Sequence, residues 1–529
     1  MEAKELIESG KSFLGIEFGS TRIKGVVTDE NGAVLAVGGF GWENSLVDGI
    51  WTYSEEEIWN GLRKCYTDVV NEINKQYGVK VTKFAAIGFS AMMHGYLAFD
   101  ENGKLLVPFR TWRNTITGQA AEALTKEFNY NIPQRWSISH LYQAMLNDEP
   151  HVKDIRFFTT LAGFVHWKLT GEKVLGVGDA SGMFPIDTKT GNYDENMLAK
   201  FDELAKSTKL AVSLKDILPK VLNAGDNAGT LTKEGAALLD ESGNLEAGIP
   251  LCPPEGDAGT GMVATNSVKI RTGNISAGTS VFAMVVLEKE LSKVYPEIDL
   301  VTTPDGALVG MVHCNNCTSE INNWVKIFKE FYELMGQTPD MNELFTKLYS
   351  VSMDGDANCG NVLLYNYLSG EPVTGFEKGA LVLARTAEAD FSLANLMRSN
   401  LYSAMATLKV GLDLMLKKEG VKVDEMYGHG GYFKTKGVGT KIAAAAINAP
   451  VSVMETASEG GAWGIALLAA YMYSKKQGET LSDYLSGRIF AGTKCEKCLP
   501  DANDAKGFDE YITLYKKGLA IERAAIDNL

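Results

Sequence analysis

Two segments of this chain follow one pattern. Ile16-Glu17-Phe18-Gly19-Ser20-Thr21 and Ile275-Ser276-Ala277-Gly278-Thr279-Ser280 both read I-x-x-G-[ST]-[ST], and they lie roughly half the chain apart. Each closes a strand-like run and leads into another. A Gly-Ser/Thr turn between strands exposes backbone N–H groups and hydroxyls, the donors that suit phosphate oxygens. An ordinary hairpin is the plainer reading of either turn alone. As a pair they predict two similarly built halves, divided here as residues 1–260 and 261–529.

The flanking sequence predicts an α/β fold. Residues 11–17, 23–29 and 33–40 read as strands, and Asn31-Gly32 as a hairpin turn. Residues 96–100 and 104–108 flank Asn102-Gly103 in the same way. Residues 54–78 read as a helix, with Ser54 as N-cap, Glu57 as its capping-box partner and Gly78 as terminator. Trp59, Leu62, Tyr66, Val69, Val70 and Ile73 form its apolar stripe. Residues 84–89 read as a buried strand, and the chain from Ala462 onward as mostly helical.

Composition narrows the partners. Lys and Arg total 51 against 66 Asp and Glu, a net charge of −15 across 529 residues. Such a surface argues against nucleic acid or an anionic membrane as partner. A small anion held by backbone N–H groups and a metal stays allowed. The longest apolar run, residues 460–473, is too short and glycine-rich to span a bilayer. Glu2, Lys4, Glu5, Glu8 and Lys11 are unlike a secretory signal, so a cytoplasmic location is expected. Seven cysteines, an odd and sparse set, read as reduced thiols. The pairs Cys314/Cys317 and Cys495/Cys498 make a four-thiolate zinc site only if they meet in space; otherwise they are buried thiols and a late surface loop.

Several nucleotide motifs fail. Gly10-Lys11-Ser12 lacks the upstream glycine of a P-loop and precedes a strand. Gly259-Thr260-Gly261 lacks the preceding buried strand of a dinucleotide fold. Other segments carry chemistry. Lys24 follows the first turn. Asp257, between glycines after Pro253-Pro254, is a candidate base or metal-linked carboxylate, or a turn-forming Asp. At Gly430-Gly431, after His429, the backbone can approach a ligand closely.

These segments, in this order, resemble the FGGY carbohydrate kinases, most closely their xylulokinase-type members, over residues 13–473. The first phosphate motif is resembled by residues 15–24. Sugar-contacting segments are resembled by Met93-His94-Gly95 and by Thr111-Trp112-Arg113-Asn114. Gly178-Asp179-Ala180-Ser181-Gly182 resembles a further run of the family, and Glu255-Gly256-Asp257 the segment of its catalytic base. The second phosphate motif is resembled by Gly278-Thr279-Ser280. Gly430-Gly431 and Glu459-Gly460-Gly461-Ala462-Trp463-Gly464 resemble the adenosine motif and the helix behind it.

The resemblance implies two ribonuclease-H-like domains of the actin and hexokinase type with a cleft between them. It implies an ATP- and Mg²⁺-dependent kinase acting on a small sugar, D-xylulose first, and it admits a homodimer. Another ketose or polyol, such as ribulose or a deoxyketose, or a non-catalytic nucleotide sensor of the same fold, are the alternatives. Asp257 is then the base and, with Glu17, the metal carboxylate. Met93, His94, Gly95, Trp112, Asn114 and Asp257 bind sugar. Gly19, Ser20, Thr21, Lys24, Gly278, Thr279, Ser280, Gly430 and Gly431 bind nucleotide. The hinge for closure is expected near residues 257–265. Glu17 stands where the family usually has Asp and Asn114 where many of its members have Asp; the first moves a carboxylate by one methylene, the second removes a charge and adds donors.

Overall fold

A computed structural model describes residues 2–454 and 460–529. The chain forms two compact units. One comprises Met1–Val268, Leu300–Val309 and Ser458–Gly492; the other comprises Lys269–Asp299, Gly310–Ala457 and Thr493–Leu529. A single cut after residue 260 therefore does not describe the packing, because two later segments return to the first unit.

In the first unit, β1 (Phe13–Phe18), β2 (Arg22–Thr28), β3 (Val34–Gly41), β4 (Ala86–Ala91) and β5 (Glu255–Gly256) form one sheet in the order β3-β2-β1-β4-β5. β1 is antiparallel to β2 and parallel to β4. The corresponding strands, β6 (Thr272–Ala277), β7 (Val281–Val286), β8 (Leu308–Cys314), β9 (Glu425–His429) and β10 (Val451–Met454), belong to a seven-stranded sheet and, apart from the first two residues of β8, to the second unit. Their order, β8-β7-β6-β9-β10, repeats that of the first sheet. β6 is antiparallel to β7 and parallel to β9. The repeated motif thus marks the same first hairpin of two sheets built alike. β11 (Cys495–Cys498) adds an antiparallel edge beside β10, where a loop is expected from the sequence.

Helix α1 (Glu55–Tyr77) forms as its sequence dictates. Ser54 and Glu57 make both bonds of a capping box, and Gly78 closes the helix at φ 66°. Leu62, Cys65, Tyr66, Val69 and Ile73 turn inward. The hairpin expected around Asn102-Gly103 is only partial. Leu97–Phe99 pairs with Phe157–Thr159 instead, leaving single bridges such as Phe99 to Leu105. The segment expected as a hinge is the regular helix α2 (Asp257–Ala264) inside the first unit.

The core of the first unit depends on a late helix, α3 (Gly460–Ser474), whose residues from Gly461 to Tyr471 are all buried. It lies close against β1, β4 and α2 because glycines line the contact. A Cβ on Gly15 would sit 2.2 Å from Ala462 O, one on Gly88 2.9 Å from Ile465 O, and one on Gly464 2.1 Å from Thr260 O. Trp463 Nε1 also donates to Gly32 O at 2.8 Å. Gly464→Ala should therefore destabilise the protein by about 1–3 kcal/mol, read as a lower urea midpoint with unchanged secondary structure.

Candidate active site

The turn between β1 and β2 is held by its carbonyls. Trp42 Nε1 donates to Gly19 O at 2.7 Å, Tyr53 OH to Ser20 O at 2.6 Å, and Trp42 N to Thr21 O at 3.1 Å. The Trp42 and Tyr53 rings stack with centroids 4.0 Å apart. Gly19 N bonds Arg22 O. Among the described residues no protein group accepts from the N–H of Ser20 or Thr21.

The second turn is built alike from other parts. Thr318 N and Oγ1 donate to Gly278 O at 3.0 and 2.8 Å, and Cys317 N donates to Thr279 O at 3.0 Å. Gly430 has φ 102°, and a Cβ there would lie 2.3 Å from Ala277 O. The glycine pair thus abuts the end of β6, with open space where a Gly431 side chain would stand. Gly278, Thr279, Ser280, Gly430 and Gly431 come together in the second unit. Glu459 lies outside the described residues.

In the first unit Glu17, Met93, His94, Gly95 and Asp257 gather where β1, β4 and β5 end. β5 pairs Glu255 and Gly256 with Ser90 and Ala91, which brings Asp257, the first residue of α2, beside Met93. Met93 N and Ala258 N donate to Asp257 Oδ1 at 3.1 and 2.9 Å. Burial nevertheless raises its pKa to about 6. Glu17 sits at the start of α3, hydrogen-bonded by the N–H groups of Ala462 and Gly461, with Lys24 opposite it on β2. Burial, and then the Asp257 charge, raise its pKa to about 7. The longer Glu side chain reaches these helix donors.

Near the half-buried Asp257 lie two buried carboxyls, Glu255 and Asp179. Glu255 accepts from Asp179 N at 2.9 Å and Gly178 N at 3.2 Å. Burial and Asp179 raise its pKa to about 8. Thr160 Oγ1 donates to Asp179 Oδ2 at 2.6 Å, while Asp179 Oδ1 has no partner among the described residues. Burial raises Asp179 to about 7.

Other expected contacts take a different form. His94 has φ 68°, a strained conformation for a non-glycine residue. Its Nδ1 faces Gly182 O at 3.0 Å, so that nitrogen carries the proton, and Nε2 accepts from Arg135 Nε at 3.3 Å. Both ring nitrogens thus have protein partners. Trp112 packs half-buried against the core rather than standing open. Asn114 is buried with its amide bonded to Trp51 and Thr111. Sequence reasoning missed Trp42, Tyr53, Thr160 and Arg135, which lie outside every recognisable motif.

The donors present fit the ligands implied for them. Turns with carbonyls tied back and N–H groups turned out suit phosphate. Glu17 and Asp257, close enough for one charge to raise the other's proton affinity, suit Mg²⁺, which commonly takes one or two carboxylates plus phosphate and water. Among the described residues no group of three or more His, Cys, Asp or Glu is placed to hold a metal, so the two C-x-x-C pairs form no zinc site there. Cys314 and Cys317 are buried and Cys495 is exposed. No helix among them is long and apolar enough to cross a membrane.

The N-terminal domain model of the FGGY family of carbohydrate kinases matches residues 12–263, and its C-terminal domain model matches residues 273–473. This chain belongs to the FGGY family of carbohydrate kinases. As an FGGY family member it is similar to a xylulose kinase of Haemophilus influenzae, at 20% identity over 95% of this chain and 98% of that one. Its fold is similar to that of a ligand-bound xylulose kinase from Lactobacillus acidophilus, with TM-score 0.78, 17% identity and 96% and 98% of the two chains covered. A gluconate kinase from Lactobacillus acidophilus has TM-score 0.77 at the same identity and coverage.

The buried carboxyls set a pH dependence of stability. Between 3.8 and about 7 the folded chain keeps a proton on Asp179 that the unfolded chain has released. Stability therefore falls as pH rises through this window. Asp179→Asn should flatten the decline of the unfolding midpoint between pH 5 and 8; a slope equal to that of the wild type would refute this.

Proposed function

We propose that this kinase transfers the γ-phosphoryl group of ATP to a hydroxyl of a ketopentose, D-xylulose first. The observation that carries the reading is the bond from Met93 N to Asp257 Oδ1. It joins the segment that resembles a sugar-contacting run to the candidate base.

Asp257 orients the acceptor hydroxyl and takes its proton late, as the new P–O bond forms. Its raised pKa improves it as an acceptor while leaving it ionised at neutral pH. The N–H groups of Ser20 and Thr21, with Lys24, hold phosphate oxygens. The turn at 278–280 offers the same donors, and Gly430-Gly431 lies beside the adenosine. Glu17 and Asp257 would hold Mg²⁺. When bound, that ion neutralises charge on the phosphoryl oxygens.

A sugar acid is the second reading, favoured by one observation. Arg135 reaches His94 Nε2, which brings a guanidinium to the Met93-His94-Gly95 segment, and guanidinium recognises carboxylate well. ADP release on a panel of xylulose, ribulose, a deoxyketose, polyols and gluconate separates these readings. Stimulation by xylulose alone supports the first; no stimulation by any sugar, with nucleotide still bound, leaves a nucleotide sensor. On the accepted sugar, Asp257→Asn should lower kcat by about 10²–10⁴ with a small change in KM. Wild-type kcat/KM should fall as pH drops below about 6, where Asp257 takes up a proton.

A further inference from the structure

We infer that Trp42, Tyr53 and Asn114 are positioning residues for the first phosphate turn, fixing the direction of the Ser20 and Thr21 N–H groups. The inference rests on the kinase reading and deepens it.

A peptide group is planar, with its C=O and N–H on opposite sides. The Gly19 carbonyl shares a plane with the Ser20 N–H, and the Ser20 carbonyl with the Thr21 N–H. Trp42 Nε1 on Gly19 O and Tyr53 OH on Ser20 O thus aim both N–H groups away from the two stacked rings. In the second unit the N–H groups of Cys317 and Thr318, with the Thr318 hydroxyl, hold the equivalent carbonyls. The first turn uses side chains for the same purpose, and side chains can be changed singly.

Tyr53 is placed in turn by Asn114. It directly follows the short strand Ile50–Thr52, whose middle residue is clamped. Trp51 N donates to Asn114 Oδ1 at 2.9 Å, and Asn114 Nδ2 donates to Trp51 O and to Thr111 O, each at 2.9 Å. Thr111 N adds a bond to Trp51 O at 3.1 Å. The amide saturates both backbone groups of Trp51, and its N–H groups are both used. Aspartate has no donor for Trp51 O or Thr111 O, and would set a carboxylate against two carbonyls. Asn114 therefore serves the nucleotide turn through Trp51 and Tyr53.

The test uses Trp42→Phe, which keeps a stackable ring, Tyr53→Phe, which deletes one hydroxyl, and Asn114→Asp. Calorimetry with Mg–ADP gives nucleotide affinity, steady-state assays give KM for ATP and for sugar separately, and unfolding midpoints check the fold. Each variant should weaken nucleotide binding by about three- to tenfold and leave the sugar KM within about twofold. Unchanged nucleotide affinity, or a loss confined to the sugar KM, overturns the inference. If Asn114→Asp does not fold, Tyr53→Phe decides. If the wild type binds Mg–ADP but no sugar elicits turnover, the kinase reading fails while nucleotide affinity still decides the positioning roles. A wild type that binds no nucleotide overturns both.

Discussion

The close seat of α3 on the first sheet is the contact on which the candidate chemistry depends. Gly15 and Gly88 strip the sheet of side chains where the helix crosses it, and Gly464 lets α2 approach the helix in turn. Dispersion and burial are strongest where backbones pack this tightly. The seat also has a polar consequence. It delivers the first N–H groups of α3 to Glu17, and it fixes α2, whose first residue is Asp257. One apolar contact thus locates both carboxyls proposed to serve the metal.

Around that contact the protein gathers like charges instead of separating them. Asp179 and Glu255 are buried, Glu17 and Asp257 are half-buried, and each has its pKa raised chiefly by desolvation. Backbone N–H groups offset part of the cost at Glu17, Asp257 and Glu255; Asp179 has Thr160 and one oxygen unpartnered among the described residues. Such an arrangement stays compact at neutral pH by keeping protons or by recruiting a cation. A base in this setting binds a proton more tightly than a free aspartate, which is the property a late proton acceptor needs.

Much of the architecture was legible because local chemistry repeats. The I-x-x-G-[ST]-[ST] pattern encodes a strand ending in a turn, and both copies occupy the same place in sheets of the same order. The capping box of α1 and the Asn31-Gly32 turn are short-range devices readable in a few residues. Long-range features were not readable. Nothing near Trp42 or Tyr53 announces that they grip the turn at 19–21, since that grip depends on where β3 and the following strand fold back. Asn114 sits in a segment that resembles a sugar-binding run, yet its amide is consumed by Trp51. β11 was missed because a charged Cys-Glu-Lys-Cys segment has no strand pattern; pairing with β10 imposes its form.

The return of the chain to the first unit has a consequence for biosynthesis. A ribosome releases residues 1–268 long before it makes α3. Until then the face of the first sheet that α3 will cover has no partner, and exposed apolar strands of this kind favour misassembly. The first unit is thus completed only after residues 460–474 have been made. Its maturation therefore waits on a segment that follows most of the second unit in the sequence.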